Sequence, residues 1–284
     1  MKWSPAGRSS GKQLIRWLEN NEWKHIPLSS RIKDSGGHPA FGKIACGRLW
    51  TRKDSGRITG VLYISRYGVV LPVFDRNEND ADETQFLKKL LVSRENDLFS
   101  VIGMEERVLN IENHTRKPVS DYVNYRILVG SGPVPSEQGE PPELSIQPAE
   151  LSDFDMLWKL EKAYQIEEVL RNGHKFDERS SRLHFQNTLK KQIVYYALLG
   201  GRAVAKAGTN ARGYLYDQIG GVFVIPELRG YGFGTAVMNR LLSTIAEADR
   251  RPCLFVKKSN LPALKLYKNL AFRDMGAFRI SYYH

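Results

Sequence analysis

The sequence predicts an α+β (mixed α/β) chain of two units, each a mostly antiparallel mixed sheet with flanking helices. Three observations carry this. The chain has 284 residues, more than one core usually organises. Residues 131–143, SGPVPSEQGEPPE, combine Gly, Pro and three Glu with no Lys or Arg and read as a linker. On either side of it the same logic recurs: helices, antiparallel strand signals, then alternating helices and strands. The expected units are 1–130 and 144–284, joined by 131–143.

Composition bounds the function. Hydrophobic residues are 42% and charged residues 26%, ordinary for a soluble globular protein and unlike a disordered chain, a collagen or a disulfide scaffold. No stretch approaches the roughly 18 apolar residues of a membrane span. The N-terminus, MKWSPAGRSSGKQ, lacks the apolar core of a secretory signal. Cys46 and Cys253 read as free thiols in a reducing compartment, hence a cytoplasmic protein. Six scattered His without ligand spacing predict no metal site. The net charge of +11 is shared, +6 in 1–130 and +8 in 144–284. It suits a polyphosphate ligand, nucleic acid or an acidic partner, or serves only solubility. No RNA-recognition signature accompanies it, which disfavours nucleic acid.

In the first half, Leu14, Ile15, Trp17 and Leu18 make an apolar set on a helix over 11–21. Strands follow over 42–50, 60–65 and 68–74, separated by the turn-like Asp54-Ser-Gly56 and Arg66-Tyr-Gly68. An acidic loop, 77–83, precedes a helix over 84–92. A strand over 98–102, a helix over 103–112 and a strand over 122–129 complete this half. In the second half, a strand over 144–146 leads to a helix over 152–170, with Asp153 and Asp155 in its first turn where the dipole favours acid. A helix over 182–190 and strands over 193–199, 203–207 and 216–224 follow. Gly200-Gly201 and 208–213 are the intervening turns. A helix over 232–247 buries Val237, Leu241, Leu242 and Ile245. A strand over 253–256, a helix over 261–269 and a strand over 272–283 close the sheet.

The informative stretch is VFVIPELRGYGFGTAVM, residues 222–238. A strand ends at Val224, Pro226 turns the chain, and Gly230, Gly232 and Gly234 precede an amphipathic helix. Such a unit points free backbone N–H groups and the positive end of a helix dipole at one spot, which binds phosphate. Arg229 adds a charge-assisted contact. The spacing is neither a Walker A motif, for want of a Gly-Lys-Ser/Thr ending, nor a dinucleotide fingerprint.

This segment resembles the pyrophosphate loop of the GNAT superfamily of N-acetyltransferases, Gln/Arg-x-x-Gly-x-Gly/Ala, here Arg229, Gly232 and Gly234. Downstream, NLPALKLYKNLAF, residues 260–272, is similar to the family's Asn-x-x-Ala-x-x-Leu-Tyr-x-x-x-Gly-Phe. Asn260, Ala263, Leu266, Tyr267 and Phe272 match, while Ala271 stands where glycine is usual and bears on a helix C-cap. The resemblance covers 144–284. The whole chain resembles bacterial acetyltransferases with a degenerate acetyltransferase-like first domain, since no such loop occurs in 1–130. The implied fold is two tandem GNAT-like domains, the first degenerate and shaping or covering the acceptor site.

The resemblance implies acetyl-CoA as co-substrate, lying between strands that splay apart, with the acetyl group passing to a primary amine by direct attack on the thioester. The acceptor is a small molecule or peptide; the sequence does not specify which, nor the oligomeric state. Backbone groups of Phe223 and Val224 would pair with the pantetheine arm. The amides of Arg229, Gly230, Tyr231, Gly232, Phe233, Gly234 and Thr235 would hold the pyrophosphate. Tyr267 would protonate the leaving thiolate, or is a core-facing aromatic. Asn260 would position the pantetheine, or caps its helix. The Val224 N–H is the natural oxyanion donor. The base is open: Asp217, Glu168, the neighbouring Glu167 or a water chain. A non-catalytic module that binds CoA or an acyl-CoA and regulates a partner is the alternative.

Overall fold

The computed structural model describes residues 2–7, 11–36, 43–44, 47–74, 81–134, 144–171 and 173–283. The first half runs β1 (Lys2–Pro5), α1 (Gly11–Glu19), α2 (Ile26–Asp34), β2 (Lys43–Ile44), β3 (Gly47–Asp54), β4 (Arg57–Ser65), β5 (Val69–Phe74), α3 (Ala81–Val92), β6 (Ser100–Met104), α4 (Glu105–Glu112) and β7 (Asp121–Val129). The second half runs β8 (Leu144–Pro148), α5 (Phe154–Tyr164), α6 (Glu178–Lys191), β9 (Val194–Leu199), β10 (Arg202–Arg212), β11 (Tyr216–Val224), α7 (Phe233–Glu247), β12 (Arg251–Lys257), α8 (Leu261–Asn269) and β13 (Arg273–Tyr282). This is the expected mixed α/β architecture, with the same strand–helix order in each half apart from the two-residue β2. Residues 135–143 of the linker, Cys46 and most of the acidic loop lie outside the described residues.

The halves share one sheet, in the order β1-β3-β4-β5-β6-β13-β7-β12-β11-β10-β9-β8, with β2 on β3. Their last strands are exchanged. β13 lies antiparallel to β6 of the first half, Ile280 facing Ile102. β7 lies antiparallel to β12 of the second half, Leu128 facing Leu254. The exchanged strands pair with each other through nine registered positions, Arg273↔Val129 to Tyr282↔Asp121. The strand expected over 272–283 therefore closes its sheet beyond a strand from the other half. This carries residues of 121–125 to the edge of the second half's opened strands.

Local chemistry explains the other departures. Residues 208–213 were expected as a turn because of their glycines, but β10 runs on to Arg212 through two register shifts, after Lys206 and after Thr209. β-bulges admit glycine without ending the strand. The helix expected over 152–170 is α-helical to Tyr164, passes through a π-helical turn at Gln165–Val169 and ends at Leu170 in extended conformation. The unexpected α2 begins with Pro27 in its first turn, a favourable place for it, but its IPLSSRIKD sequence carries a weak apolar stripe. In the second half, Val237, Leu241, Leu242 and Ile245 of α7 are fully buried, as the periodicity demands. They share one core with Leu157 of α5, Phe185 of α6 and Leu254 of β12.

Candidate active site

The site begins where two strands part. β11 and β12 run parallel and pair only from Tyr216↔Arg251 to Ile219↔Leu254. Beyond Ile219, β11 continues to Val224 without its neighbour. Gly220-Gly221 produce the divergence. Gly221 has φ +62°, a left-handed conformation favoured by glycine, and β11 gains one extra residue over β10 between Gly220 and Phe223. Lys206 Nζ donates to the Gly221 carbonyl at 2.8 Å and is itself paired with Glu161 at 2.8 Å, both side chains almost wholly buried.

Strand alternation decides which amides face the gap. The Ile225 N–H bonds to the Val204 carbonyl at 3.0 Å, so Val204 and Ile225 form a hydrogen-bonded pair. The next pair, Ala205 and Val224, is then non-hydrogen-bonded, and the Val224 N–H and C=O point away from β10 into the gap. Phe223 points the other way. Its backbone belongs to the ladder with Lys206 and its ring is buried. This corrects the assignment of Phe223 as a pantetheine partner: the backbone groups that alternation turns to this side are those of Val224, with Val222 beside them in both cavity walls.

The loop that follows is a helix N-terminus open to solvent. Gly230 and Gly232 both have φ +86°, and α7 starts at Phe233 with Gly232 as its N-cap. A Cβ at either glycine would meet nothing within 4 Å, so the left-handed backbone, not crowding, demands glycine there. Gly234 is different: its Cβ would stand 3.3 Å from Val224 Cγ2. A cavity of about 580 Å³ is walled by Val224, Arg229, Gly230, Gly232, Gly234, Thr235, Asn260 and Tyr267. Tyr231 is 68% exposed and the Phe233 ring is in the core, so neither side chain enters the cavity. Arg229 spans its mouth, donating to the Val224 carbonyl at 3.1 Å and to Glu167 at 2.8 Å. First-turn amides, the dipole and a guanidinium fit a diphosphate.

A second cavity, about 710 Å³, lies on the β7 side of the gap and shares Glu168, Val222, Asn260, Ala263 and Tyr267 with the first. Tyr267 is buried at the junction. Burial, with Tyr164 and Glu168 adding to it, holds its hydroxyl well above the ordinary phenol range, so it stays protonated. Glu168 sits in the π-helical turn, a local widening that often marks functional positions. Its Oε1 accepts from Asn260 Nδ2 at 3.0 Å, while Lys257 lies 3.8 Å away. Asn260 does two jobs: its side-chain oxygen caps α8 by accepting the Ala263 N–H at 3.0 Å, and its amide orients Glu168.

The structure removes Asp217 from the candidate bases. It is fully buried on the paired part of β11, opposite Pro252, outside both cavities. Arg250 holds it at 2.7 Å and Arg212 lies 3.4 Å away. Two residues that sequence reasoning did not single out line the second cavity: Tyr125, from the exchanged β7, and Tyr164, at the end of α5. Burial raises both hydroxyls, that of Tyr164 to about 12. Tyr164 stands seven residues after Leu157 and four after Leu160, on the apolar face that helical periodicity picks out; nothing near Tyr125 in sequence announces the strand exchange.

Among the described residues the first half opens far less at the same place: a cavity of about 140 Å³ lies at Pro72, Val73, Phe74 and Met104, against about 580 Å³ in the second half. β5 and β6 pair in parallel at Val69↔Ser100 and Val70↔Val101, and two residues on Gly103 sits so close to Pro72 that a Cβ would stand 3.3 Å from its carbonyl. Among the described residues no cluster of His, Cys, Asp and Glu could hold a metal, and no helix is long and apolar enough to cross a membrane.

A shared sheet, a parted strand pair and a glycine-rich helix start define a class, and comparison with known proteins agrees with it. The chain has the fold of tandem GNAT acetyltransferases, with two such units in one chain. Residues 199–280 match the family described as FR47-like protein. A Drosophila protein of known structure is similar over 99% of this chain and 98% of its own, at 12% identity and TM-score 0.69. A GNAT-family acetyltransferase from Colwellia psychrerythraea is similar over 100% of both chains, at 12% identity and TM-score 0.56. A tandem GNAT protein from the clavulanic acid biosynthesis pathway is similar over 99% of this chain and 97% of its own, at 12% identity and TM-score 0.54. No curated protein matches the sequence.

Proposed function

We propose that the protein is an acetyl-CoA-dependent N-acetyltransferase acting on a primary amine. The observation that carries the reading is the meeting of the two cavities at Tyr267, Glu168 and Asn260, one with an anion-binding helix start and the other closed by the β7 side. The residues fit the co-substrate. The amides of Gly230–Thr235 and Arg229 would take its diphosphate, and Val222 and Val224 its extended arm as an added strand. Bound there, acetyl-CoA supplies an activated acyl group.

Three tasks fall to the chain. The Val224 N–H, aimed into the gap, steadies the charge that develops on the thioester oxygen. Glu168 takes the proton that the acceptor ammonium must lose, directly or through one water, with Asn260 fixing its orientation. Tyr267 gives a proton to the departing sulfur. The new bond is amine nitrogen to acetyl carbon and the broken bond is carbon to sulfur, so the products are an N-acetylamine and the free thiol. Calorimetry with acetyl-CoA tests the donor half. Binding is expected, and its absence at millimolar concentration overturns the reading. Gly232→Glu, which puts a carboxylate into a left-handed position of the anion site, is expected to abolish binding.

A further inference from the structure

We propose that the second cavity is built for an acceptor with a flat aromatic body, an arylalkyl primary amine carrying a single positive charge. This rests on the acetyl-transfer reading and names the class of its acceptor. Six phenol or phenyl rings line the cavity beside the His174 imidazole: Tyr122, Tyr125, Tyr164, Phe255, Tyr267 and Tyr282. Tyr122 stands 53% exposed at the rim, where no core needs it. Rings so gathered receive another ring by offset or edge contacts.

An aromatic wall can also hold a bare cation, and the structure argues against that use. Three of these rings already carry a cation. The Arg279 guanidinium is 3.8 Å from the Tyr122 centroid, Arg171 is 3.9 Å from that of Tyr282, and Lys206 Nζ is 4.4 Å from that of Tyr164. Arg279 and Lys206 are buried and ion-paired, to Glu112 and Glu161, so they are fixed partners of those rings. A ring whose quadrupole faces one cation has less to offer a second, but stacks well with a neutral ring. The place for the ammonium is Glu168 at the inner end, beside Tyr267. The same wall holds two cations, Arg171 and Lys257, against two carboxylates, Asp121 and Glu168, and Asp121 is already paired with Arg171 at 3.5 Å, so Glu168 is left to receive one ammonium and no carboxylate is spare for a second. Polyamines and quaternary ammonium compounds are thereby disfavoured. Tyr122 and Tyr125 arrive on β7, so the first half of the chain sets this selectivity through the exchanged strand.

The test is steady-state thiol release by the full chain with acetyl-CoA and 2-phenylethylamine, tyramine, n-butylamine or spermidine, with choline as competitor. The two aromatic amines are expected to exceed n-butylamine and spermidine in kcat/KM by about tenfold or more, the scale of one well-filled apolar pocket, and choline is expected not to compete. Tyr122→Ala, at the rim where folding is not at stake, and Tyr125→Leu should each lower the aromatic-to-alkyl ratio at least threefold. Equal or better turnover of n-butylamine or spermidine, inhibition by choline, or an unchanged ratio in both variants overturns the proposal. If acetyl-CoA binds but no aromatic amine is acetylated, the acceptor class is wrong while the donor reading stands. If acetyl-CoA itself does not bind, the underlying reading falls.

Discussion

The Glu22 carboxylate accepts the backbone N–H of Tyr216 at 2.9 Å, from 194 residues away in the chain. It also accepts the N–H groups of Tyr214 and Leu215, each at 2.7 Å, and it is fully buried. Three successive amides thus converge on one anion supplied by the other half. A Cβ at Gly213 would overlap that carboxylate, which explains the glycine. Arg250 completes the arrangement by donating to the carbonyls of Gly213, Tyr214 and Tyr216. Together with the exchanged strands, this bolts the halves into one folding unit. Glu22→Ala leaves three buried donors without an acceptor and is expected to cost about 3–5 kcal/mol of unfolding free energy. Glu22→Gln, which keeps one acceptor oxygen, should cost less. Urea titration reads both, and a loss in the alanine variant below about 1 kcal/mol, the worth of one ordinary hydrogen bond, rejects this account.

Ala271 holds φ +57° at an exposed position just past α8. The cap around it is complete. The Phe272 N–H bonds to the Tyr267 carbonyl and the Ala271 N–H to that of Lys268, each at 3.0 Å, with the Tyr267 and Phe272 rings in contact. This is the hydrogen-bond pattern that normally employs glycine at the left-handed residue. The chain tolerates strain there, beside a candidate catalytic tyrosine. Ala271→Gly should relieve the left-handed strain and raise stability by about 0.5–1 kcal/mol after the cost of a more flexible unfolded chain. Thermal unfolding checks the sign.

Sequence reasoning reached what is local and periodic. The loop at 229–234, the helix that follows, the cap at Asn260 and the glycine-deficient cap at Ala271 all depend on neighbours within one or two turns. What escaped it depends on register and on distant chain segments. Asp217 looked like a base because a polar residue on the right strand cannot be told from one sealed by Arg250. The sequence points to Phe223 as a backbone partner because alternation fixes a side only once the Val204–Ile225 pair is known. Tyr125 was invisible because only the exchange of β7 and β13 brings it beside Lys257.

The pair of Glu161 and Lys206 gives a pH signature. Burial alone would raise the Glu161 carboxyl, but Lys206 and a hydrogen bond from Gln165 outweigh it and hold it below the usual range. A carboxyl depressed on folding contributes stability that is fully present above its unfolded value, about 4.3, and is lost as pH falls through the folded value. Glu161→Gln leaves the Lys206 ammonium buried without its anion and is expected to cost about 3–5 kcal/mol at neutral pH. The gap between wild type and variant should begin to narrow as pH falls below about 4.3, where the unfolded carboxyl takes up a proton that the native one still refuses, and close as pH falls through the folded value. Chemical denaturation at pH 7 and pH 3.5 makes the comparison, and a gap independent of pH would show that the ion pair is not what the variant lost. Because Lys206 also holds the Gly221 carbonyl, the same variant should weaken acetyl-CoA binding if the parted strands receive it.

Tyr267 and Glu168 should separate in their kinetics. Tyr267→Phe keeps the ring in its buried contact with Phe272 and removes only the proton donor. Turnover should fall about 10²-fold or more, the usual worth of one positioned acid, with acetyl-CoA affinity little changed. Since the native hydroxyl titrates above the ordinary phenol range, the wild-type kcat profile should show no alkaline decline from this group below about pH 10, where an unperturbed phenol titrates. Glu168→Gln preserves the hydrogen bond to Asn260 only if the amide turns its oxygen toward Asn260 Nδ2. It should slow turnover most at low pH, where the acceptor is ammonium, and recover as rising pH supplies free amine. An equal loss at every pH would give Glu168 a positioning role and leave deprotonation to water. A Tyr267→Phe enzyme of undiminished kcat would mean that the sulfur departs without help from the chain.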